Sequence, residues 1–257
     1  HNLNYHHPPE CYNFRTYLAY ILYPPLYIGG PITSFNAFVY YLHKPQSTVN
    51  LYWYSCRWLA CLLLLEILLH VFPFFAVVKS GLFNILTIKE MAVLAYVLLK
   101  IMWLKFLVIW RFFRLWSLMD GQNPPENMTK CMSNNCSISG FWKGWHSSYN
   151  KWLINYLYIP LGGKNYKYIN IFFVFLFVAL WHDAEMKLLY WALFNSIFLL
   201  LEYVGHYIVS SNYLVRLFNF NNNSKRSCYI AAGAIYIVVL IGVNLIGYAV
   251  GHQGVAL

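Results

Sequence analysis

Two histidines have the residue type and setting for acid–base chemistry, because each directly follows a tryptophan in strongly apolar sequence. His146 follows Trp145, and His182 lies between Trp181 and Asp183. A neutral imidazole accepts protons near pH 6.5, so it can take one from a hydroxyl group. An ionisable residue within or at the end of a membrane segment is a functional candidate. The alternative is that each histidine is structural and forms hydrogen bonds between helices.

The residues around His146 allow more than one interpretation. If one helix begins near Ser139, His146 and Asn150 are four residues apart and share a face, so Asn150 could orient the imidazole. Ser147 and Ser148 are potential nucleophiles, but neither lies on the strand-to-helix elbow that activates serine in hydrolases. The same segment, with its tryptophans, is also typical of an amphipathic helix at a membrane interface.

A basic stripe is predicted at the end of one apolar segment. In a helix, Lys100, Arg111 and Arg114 lie within about 60° of one another, whereas Lys105 points elsewhere. Such a stripe could hold lipid headgroups or a phosphorylated cofactor. It could equally extend its charges to the cytoplasmic surface of a membrane. The pattern leaves both interpretations open.

Two glutamate–histidine pairs occur at a spacing of four residues within apolar segments. Glu66 and His70 form one pair, and Glu202 and His206 form the other. A metal site would need one or two further ligands, which the sequence does not indicate. We therefore expect each pair to satisfy its own polar groups along one helix face.

The composition predicts an all-α polytopic membrane protein. Of 257 residues, 60% are apolar, 20% aromatic and only 10% charged, whereas soluble domains carry about 25% charged residues. The 18 basic residues exceed the eight acidic ones, for a net charge of +10. They are scattered between apolar spans, which favours cytoplasmic loops or anionic headgroups over nucleic acid. Because the sequence begins at His1 and stops within an apolar tract, we expect a fragment of a longer chain.

Several segments approach the roughly 20 apolar residues that a membrane span needs. The predicted membrane helices are residues 58–78, 91–113, 169–184, 188–209 and 229–250. Residues 14–38 are apolar but interrupted by prolines and glycines, which predicts a broken or re-entrant segment. Residues 120–163 are predicted to contain a catalytic loop followed by an interfacial helix.

Whether cysteines form a disulfide and whether the sequons are glycosylated depends on which loops are lumenal. The six cysteines have no metal-binding spacing and are expected to be free thiols, with a Cys131–Cys136 disulfide only if that loop is lumenal. Asn127, Asn135 and Asn222 begin sequons, which likewise matter only in lumenal loops.

Five ordered motifs resemble the membrane-bound O-acyltransferase (MBOAT) superfamily, and within it the branch of the glycerol uptake (Gup) proteins, related to Hedgehog acyltransferase. The motifs are residues 112–121 (FFRLWSLMDG), 125–128 (PENM), 140–146 (GFWKGWH), 158–163 (YIPLGG) and 181–183 (WHD). Residues 23–31 (YPPLYIGGP) resemble the proline-rich upstream motif of that branch.

This resemblance implies a fold and a reaction. Residues 1–257 would form part of an MBOAT domain, a bundle of transmembrane and re-entrant helices around a central tunnel. The implied reaction moves a long-chain acyl group from acyl-CoA to a hydroxyl of a lipid acceptor. His182 maps onto the catalytic general base, and His146 maps onto a second polar position. A thioester already has an activated carbonyl, so no metal is expected.

Expectations for binding follow from charge and from position beside the two histidines. The expected substrate-binding residues are Asn150, Trp145, Trp181, Asp183, Arg111, Arg114 and Lys143, with Lys164 and Lys167 as further candidates for CoA phosphates. The expected partners are acyl-CoA and a lipid acceptor, in a membrane-embedded protein with no nucleic acid. The sequence does not indicate an oligomeric state.

The Gup branch further implies remodelling of glycosylphosphatidylinositol (GPI) anchors in the endoplasmic reticulum membrane. The alternative function is a glycerol uptake transporter or a regulator of glycerol transport. Transport would predict paired broken helices in two corresponding halves, and only residues 14–38 are strongly broken. A catalytically inactive scaffold is a third possibility, against which the retention of both His146 and His182 argues.

Overall fold

The computed structural model describes residues 7–45, 49–73, 76–77, 80, 85–210 and 222–244. Every regular element in these ranges is helical, which confirms the predicted all-α class. The α-helices are α1 (Phe14–Ile21), α2 (Pro24–Ile28), α3 (Phe35–His43), α4 (Leu51–Val71), α5 (Ile88–Met119), α6 (Ile138–Gly144), α7 (Ser147–Leu153), α8 (Lys167–His182), α9 (Met186–Ser210) and α10 (Asn222–Asn244).

Three helices in the described part of the chain are long and apolar enough to cross a membrane. They are α4, α5 and residues Met186–Ile208 of α9. With its 32 residues, α5 is about 48 Å long, well beyond the ~30 Å hydrocarbon core. Helix α8 has 16 residues and reaches only about 24 Å. The span predicted for residues 169–184 is therefore shorter than a membrane crossing.

Helix α4, Leu51–Val71, begins and ends about one third of its length before the predicted span at residues 58–78. It begins after Asn50, whose side-chain oxygen accepts a hydrogen bond from the Trp53 amide at 3.1 Å. It ends at Val71, two residues before Pro73, because the residue preceding a proline is driven out of the helical region. The predicted span is based on apolar content alone and takes neither the Asn50 cap nor Pro73 into account. Residues 74, 75 and 78 of the predicted span lie outside the described residues.

Other boundaries also differ from those expected. Helix α5 continues past residue 113 to Met119, since no glycine or proline interrupts it before Gly121. Helix α10 begins at Asn222, seven residues before the predicted span at 229–250. Residues 245–250 of that span lie outside the described residues.

The chain folds as two compact units. The first comprises residues 1–73, 100–129 and 144–152. The segment at residues 14–38, predicted to be broken, contains the short helices α1 and α2 and the start of α3. Asn13 and Ser34 cap α1 and α3 through their side-chain oxygens. Phe35 and Phe38 of α3 pack against the ring of Tyr20.

The second unit comprises residues 74–99, 130–143 and 153–257. Its core contains the fully buried Ile138, Ala179 and Trp191. Trp142 packs against this core, and its indole N–H donates to Asn195 Oδ1 at 3.2 Å. A buried indole needs such a partner for its one donor. Helices α8, α9 and α10 thus form a bundle that positions the end of α8.

Candidate functional site

His146 lies at a break between two helices. Helix α6 ends at Gly144 and α7 begins at Ser147. The backbone of His146 is left-handed, with φ of +44°, a conformation that costs about 1–3 kcal/mol in a residue other than glycine. Histidine is among the residues that adopt it more often than most. The prediction that His146 and Asn150 share the face of one helix is wrong: His146 precedes α7, and its carbonyl accepts the first helical hydrogen bond from the Asn150 amide at 3.0 Å.

Aromatic rings surround the imidazole of His146. Its ring centroid is 4.4 Å from that of Trp110 and 5.2 Å from that of Tyr149. Trp145 packs edge-to-face against Trp110 and Phe106, at 5.8 and 5.7 Å. Burial raises the pKa of the Tyr149 hydroxyl, so this group stays protonated near neutral pH. The cluster restricts the orientation of the imidazole plane.

Two neighbouring segments hold the turn at His146 by hydrogen bonds. The amide of Ser147 donates to the Asn127 carbonyl at 3.0 Å, and its hydroxyl donates to the Glu126 carbonyl. Ser148 donates to Asn127 Oδ1 from both its amide (3.1 Å) and its hydroxyl (2.6 Å). The Ser148 hydroxyl also accepts from the Ile32 amide at 2.9 Å. Both serine hydroxyls therefore have structural partners, which gives no support to a serine nucleophile.

Two arginines of the predicted basic stripe form ion pairs with one carboxylate. Arg111 Nε lies 3.3 Å from Glu126 Oε1, and Arg114 Nη1 lies 3.6 Å from Glu126 Oε2. Tyr54 also donates to Glu126, at 3.1 Å, and Arg114 Nε donates to the Pro124 carbonyl at 3.0 Å. The arginines thus anchor the loop that follows α5. The sequence includes Glu126 in the motif at residues 125–128, but its pairing with the arginines is not predicted because it lies outside the helix that carries the stripe.

His182 is the last residue of α8, in the second unit. Phe175 and Ala179 are buried on one side of the helix, whereas Trp181, His182 and Asp183 are exposed in the described chain. The rings of Trp181 and His182 pack edge-to-face with centroids 4.7 Å apart. Asp183 is extended and its carboxylate accepts from the Ala184 amide at 2.7 Å. The imidazole therefore stands at a helix end, accessible to a reactant.

Lys143 and Lys167 form a basic pair in the second unit. Lys167 Nζ lies 3.2 Å from the centroid of the Tyr203 ring, a cation–π contact. Partial burial and the positive charge of Lys143 lower the pKa of Lys167. Lys164 lies in a 3₁₀ turn, Gly163–Tyr166, that leads into α8. Lys164 and Lys167 thus lie at the beginning of the helix that ends at His182, and Lys143 belongs to α6.

Glu202 has a role that its spacing did not indicate. The sequence pairs it with His206, but its carboxylate also lies at the N terminus of α6, where it accepts from the amides of Ile138 and Ser139 and from the Ser139 hydroxyl. Glu202 is only 1% exposed. A carboxylate at this position satisfies unpaired amide donors and the positive end of the helix dipole. It thereby anchors the short helix that precedes His146.

The other predicted pair lies at the surface. His70 Nδ1 is 3.9 Å from Glu66 Oε2, and their side chains are 81% and 56% exposed, so no other part of the described chain encloses the pair. Within the described ranges, no group of three His, Cys, Asp or Glu side chains lies close enough to share a metal ion. The cysteines described, Cys11, Cys56, Cys61, Cys131 and Cys136, are all free thiols.

The predicted site residues therefore fall into two groups. The first unit holds His146, Trp145, Asn150, Arg111 and Arg114, and the second holds His182, Trp181, Asp183 and Lys143. The tryptophan neighbours single out both histidines in the sequence, and their catalytic roles stay predictions. The sequence marks Asn127 both in a sequon and in the motif at residues 125–128, but it does not predict the contact with Ser148, which joins residues 21 positions apart.

Comparison with known proteins gives consistent matches along the chain. The model of the MBOAT, membrane-bound O-acyltransferase family matches residues 2–250. The chain is 41% identical over 249 residues to Membrane-bound O-acyltransferase gup1 of Schizosaccharomyces pombe, covering 96% of this chain and 42% of that protein. It is 39% identical over 252 residues to Membrane-bound O-acyltransferase GUP1 of Saccharomyces cerevisiae, covering 96% and 44%.

A more distant relative is Protein-cysteine N-palmitoyltransferase HHAT of Mus musculus. It is 28% identical over 190 residues, covering 69% of this chain and 38% of that protein. The chain thus spans less than half the length of each of these three relatives.

Proposed function

This chain belongs to the membrane-bound O-acyltransferase family, and from that premise we propose that it transfers a long-chain acyl group from acyl-CoA to a hydroxyl of a lipid acceptor. The observation that carries the proposal is the family match over residues 2–250, which includes both Trp-His motifs. The yeast relatives bear the name O-acyltransferase. Three helices of membrane-spanning length support a reaction that takes place at or within the membrane.

His182 is the general base of the proposed reaction. It takes the proton of the acceptor hydroxyl while that oxygen attacks the thioester carbonyl carbon. When the carbonyl double bond re-forms, the C–S bond breaks, and the CoA thiolate leaves and recovers the proton from the imidazolium. General-base assistance of this kind contributes about 10²–10⁴-fold to the rate. The exposed position of the imidazole at the end of α8 supports this role.

His146 is proposed to stabilise the oxyanion or to hydrogen-bond the substrate. One such donor is worth about 10²–10³-fold in rate when it is held in place before the reaction begins. Its left-handed backbone supports a functional role, because strained residues cluster at active sites. The packing against Trp110 and Tyr149 supports a fixed ring orientation. Asn150, at the first turn of α7, is a candidate neighbour for the same group.

The CoA moiety carries phosphates, for which the lysines near the start of α8 are the best candidates. Lys143 and Lys164 are exposed, and Lys167 lies close to Lys143. Arg111 and Arg114 are weaker candidates, since each is paired with Glu126. Trp145, Trp181 and Asp183 are proposed to contact substrate because they flank the two histidines.

The acceptor is proposed to be a lyso intermediate of a GPI anchor in the endoplasmic reticulum membrane. Support comes from the likeness to the Gup branch, in which the yeast relatives are about 40% identical to this chain. The name of the mouse relative specifies a protein cysteine as acceptor. A protein acceptor is therefore the outcome against which the lipid acceptor is tested.

The test uses the full-length protein in a strain that lacks its endogenous Gup-type acyltransferase. Wild type is compared with His182→Ala and with His70→Ala, a control at an exposed histidine on α4. We expect wild type and the control to restore acylated GPI lipids and His182→Ala to fail at equal expression. Unchanged lipid products in a well-folded His182→Ala variant contradict the proposal. If only glycerol accumulation responds, the transport alternative is correct.

A further inference from the structure

We propose that Asn127 is a positioning residue that holds His146 in its left-handed turn. The proposal rests on the function proposed above, in which His146 contacts the substrate. All residues on which it depends, in the segments around Ile32, Asn127 and His146, belong to the first unit. Asn127 acts through the backbone and side chain of the two serines that follow His146, and it does not itself contact the reacting atoms.

The side chain of Asn127 is in a fully enclosed position. Its exposed fraction is 0%, and that of its partner Ser148 is 2%. Asn127 Oδ1 accepts two hydrogen bonds from Ser148, from the amide at 3.1 Å and from the hydroxyl at 2.6 Å. A nitrogen in place of this oxygen would face two donors, so the orientation of the amide group is set.

The amide nitrogen of the Asn127 side chain indicates that the fold requires the oxygen Oδ1. Asn127 Nδ2 is buried and has no hydrogen-bond partner among the described residues. A buried donor without a partner is destabilising, and an apolar residue of similar size would avoid that cost. Such a residue would, however, leave two donors of Ser148 buried and deprived of this acceptor. We infer that the chain keeps asparagine here for Oδ1.

Asn127 constrains the residues immediately after His146 from two directions. Its backbone carbonyl accepts the Ser147 amide at 3.0 Å, and its side chain accepts the amide of Ser148. The Ser148 hydroxyl relays the constraint to Ile32, whose amide donates to it at 2.9 Å. A left-handed residue other than glycine persists only when its surroundings over-determine its conformation. The hydrogen bonds of Asn127 and Ser148 meet this condition at His146.

The same asparagine begins a sequon, Asn127-Met128-Thr129. A glycan on Nδ2 is incompatible with an amide group that is completely enclosed. The sequon offers a matched control, because the Thr129 side chain is exposed and can be changed without touching the contacts of Asn127. Thr129→Ala removes the sequon and leaves the proposed positioning contacts intact.

The experiment uses the full-length protein in detergent and four forms of it: wild type, Asn127→Leu, Ser148→Ala and Thr129→Ala. Diethyl pyrocarbonate labels accessible histidines, and mass spectrometry follows His146, with the exposed His70 as an internal reference. We expect Asn127→Leu to raise the labelling rate of His146 several-fold relative to His70. Ser148→Ala, which keeps the amide hydrogen bond, should give a smaller increase, and Thr129→Ala should give none.

Kinetics provide the second measurement. Misplacement by about 1 Å costs up to about 10²-fold in rate, so we expect Asn127→Leu to lower kcat strongly while KM for acyl-CoA stays close to that of wild type. An unchanged labelling rate of His146 in both Asn127→Leu and Ser148→Ala overturns the proposal. An equal increase in the labelling rates of His70 and His146 also overturns it. An inactive wild type instead counts against the proposed function, because the labelling result does not depend on acyl transfer. If Asn127→Leu fails to fold, Ser148→Ala decides the labelling test.

Discussion

At the scale of single residues, the two histidines differ in how the chain holds them. His182 ends a regular helix and needs no special backbone geometry. His146 occupies a left-handed turn between two helices, enclosed by Trp110 and Tyr149. A left-handed turn at a histidine needs more stabilising contacts around it than a regular position at the surface does. This difference is consistent with the roles proposed for them, an accessible base and a fixed hydrogen-bond donor.

The role of His146 predicts a graded response to substitution. Asparagine tolerates the left-handed conformation and retains a side-chain N–H, whereas alanine has neither property. We expect His146→Ala to lower kcat by about 10²–10³-fold and His146→Asn to lose clearly less. Steady-state kinetics on the purified variants measure this. Equal activity of His146→Ala and wild type would remove His146 from the proposed reaction.

At the scale of elements, the loop after α5 connects a long helix to the turn at His146. Glu126 joins Arg111 and Arg114 of α5, and its carbonyl accepts the hydroxyl of Ser147. Both guanidinium groups are largely buried, so loss of their partner leaves two poorly solvated charges. The loop is thus anchored at one end to α5 and at the other to α7.

Substitution at Glu126 tests this connection. Glu126→Gln keeps the shape of the side chain but removes its charge, and we expect a loss of about 1–3 kcal/mol, between the values for exposed and buried ion pairs. The matched control is Glu66→Gln, whose pair with His70 is not enclosed by the protein and should change stability by less than Glu126→Gln does. Unfolding in detergent measures both variants. Similar losses in the two would show that Glu126 is no anchor.

Helix α6 depends in the same way on a distant carboxylate. Glu202 accepts hydrogen bonds from Ile138 and from Ser139 at the N terminus of this seven-residue helix. A helix this short is not stable without such support. We expect Glu202→Gln to lower stability by about 1–3 kcal/mol and Ser139→Ala, which removes one of these donors, to lower it less. Thermal unfolding in detergent compares them, and an unperturbed Glu202→Gln would contradict the anchoring role.

Sequence reasoning succeeded where local patterns determine structure and failed where distant residues do. Apolar runs predicted the helical class, which the structure confirms, whereas the roles of His146 and His182, indicated by their tryptophan neighbours, stay predictions. The break before Ser147 was missed because Gly144 alone is a weak stop signal, and the left-handed turn depends on Asn127. Similarly, Glu126 and Glu202 act on segments that are remote in sequence, so no helical spacing reveals them.

At the scale of the whole molecule, the chain is a membrane protein of the O-acyltransferase family that spans less than half of its relatives' length. Its two candidate histidines lie in different compact units. The described residues include those proposed as the base, as the constrained hydrogen-bond donor and as the phosphate-binding lysines. The complete reaction therefore has to be measured on the full-length protein.

The most direct measurement is acyl transfer by the purified full-length protein from labelled acyl-CoA to a lyso-GPI lipid. The proposed reaction predicts labelled ester and free CoA in equal amounts with wild type and with His70→Ala. It predicts a rate lower by about 10²–10⁴-fold with His182→Ala, at unchanged thermal stability. Ester formation by His182→Ala at the wild-type rate, or none by wild type, would contradict the central claim.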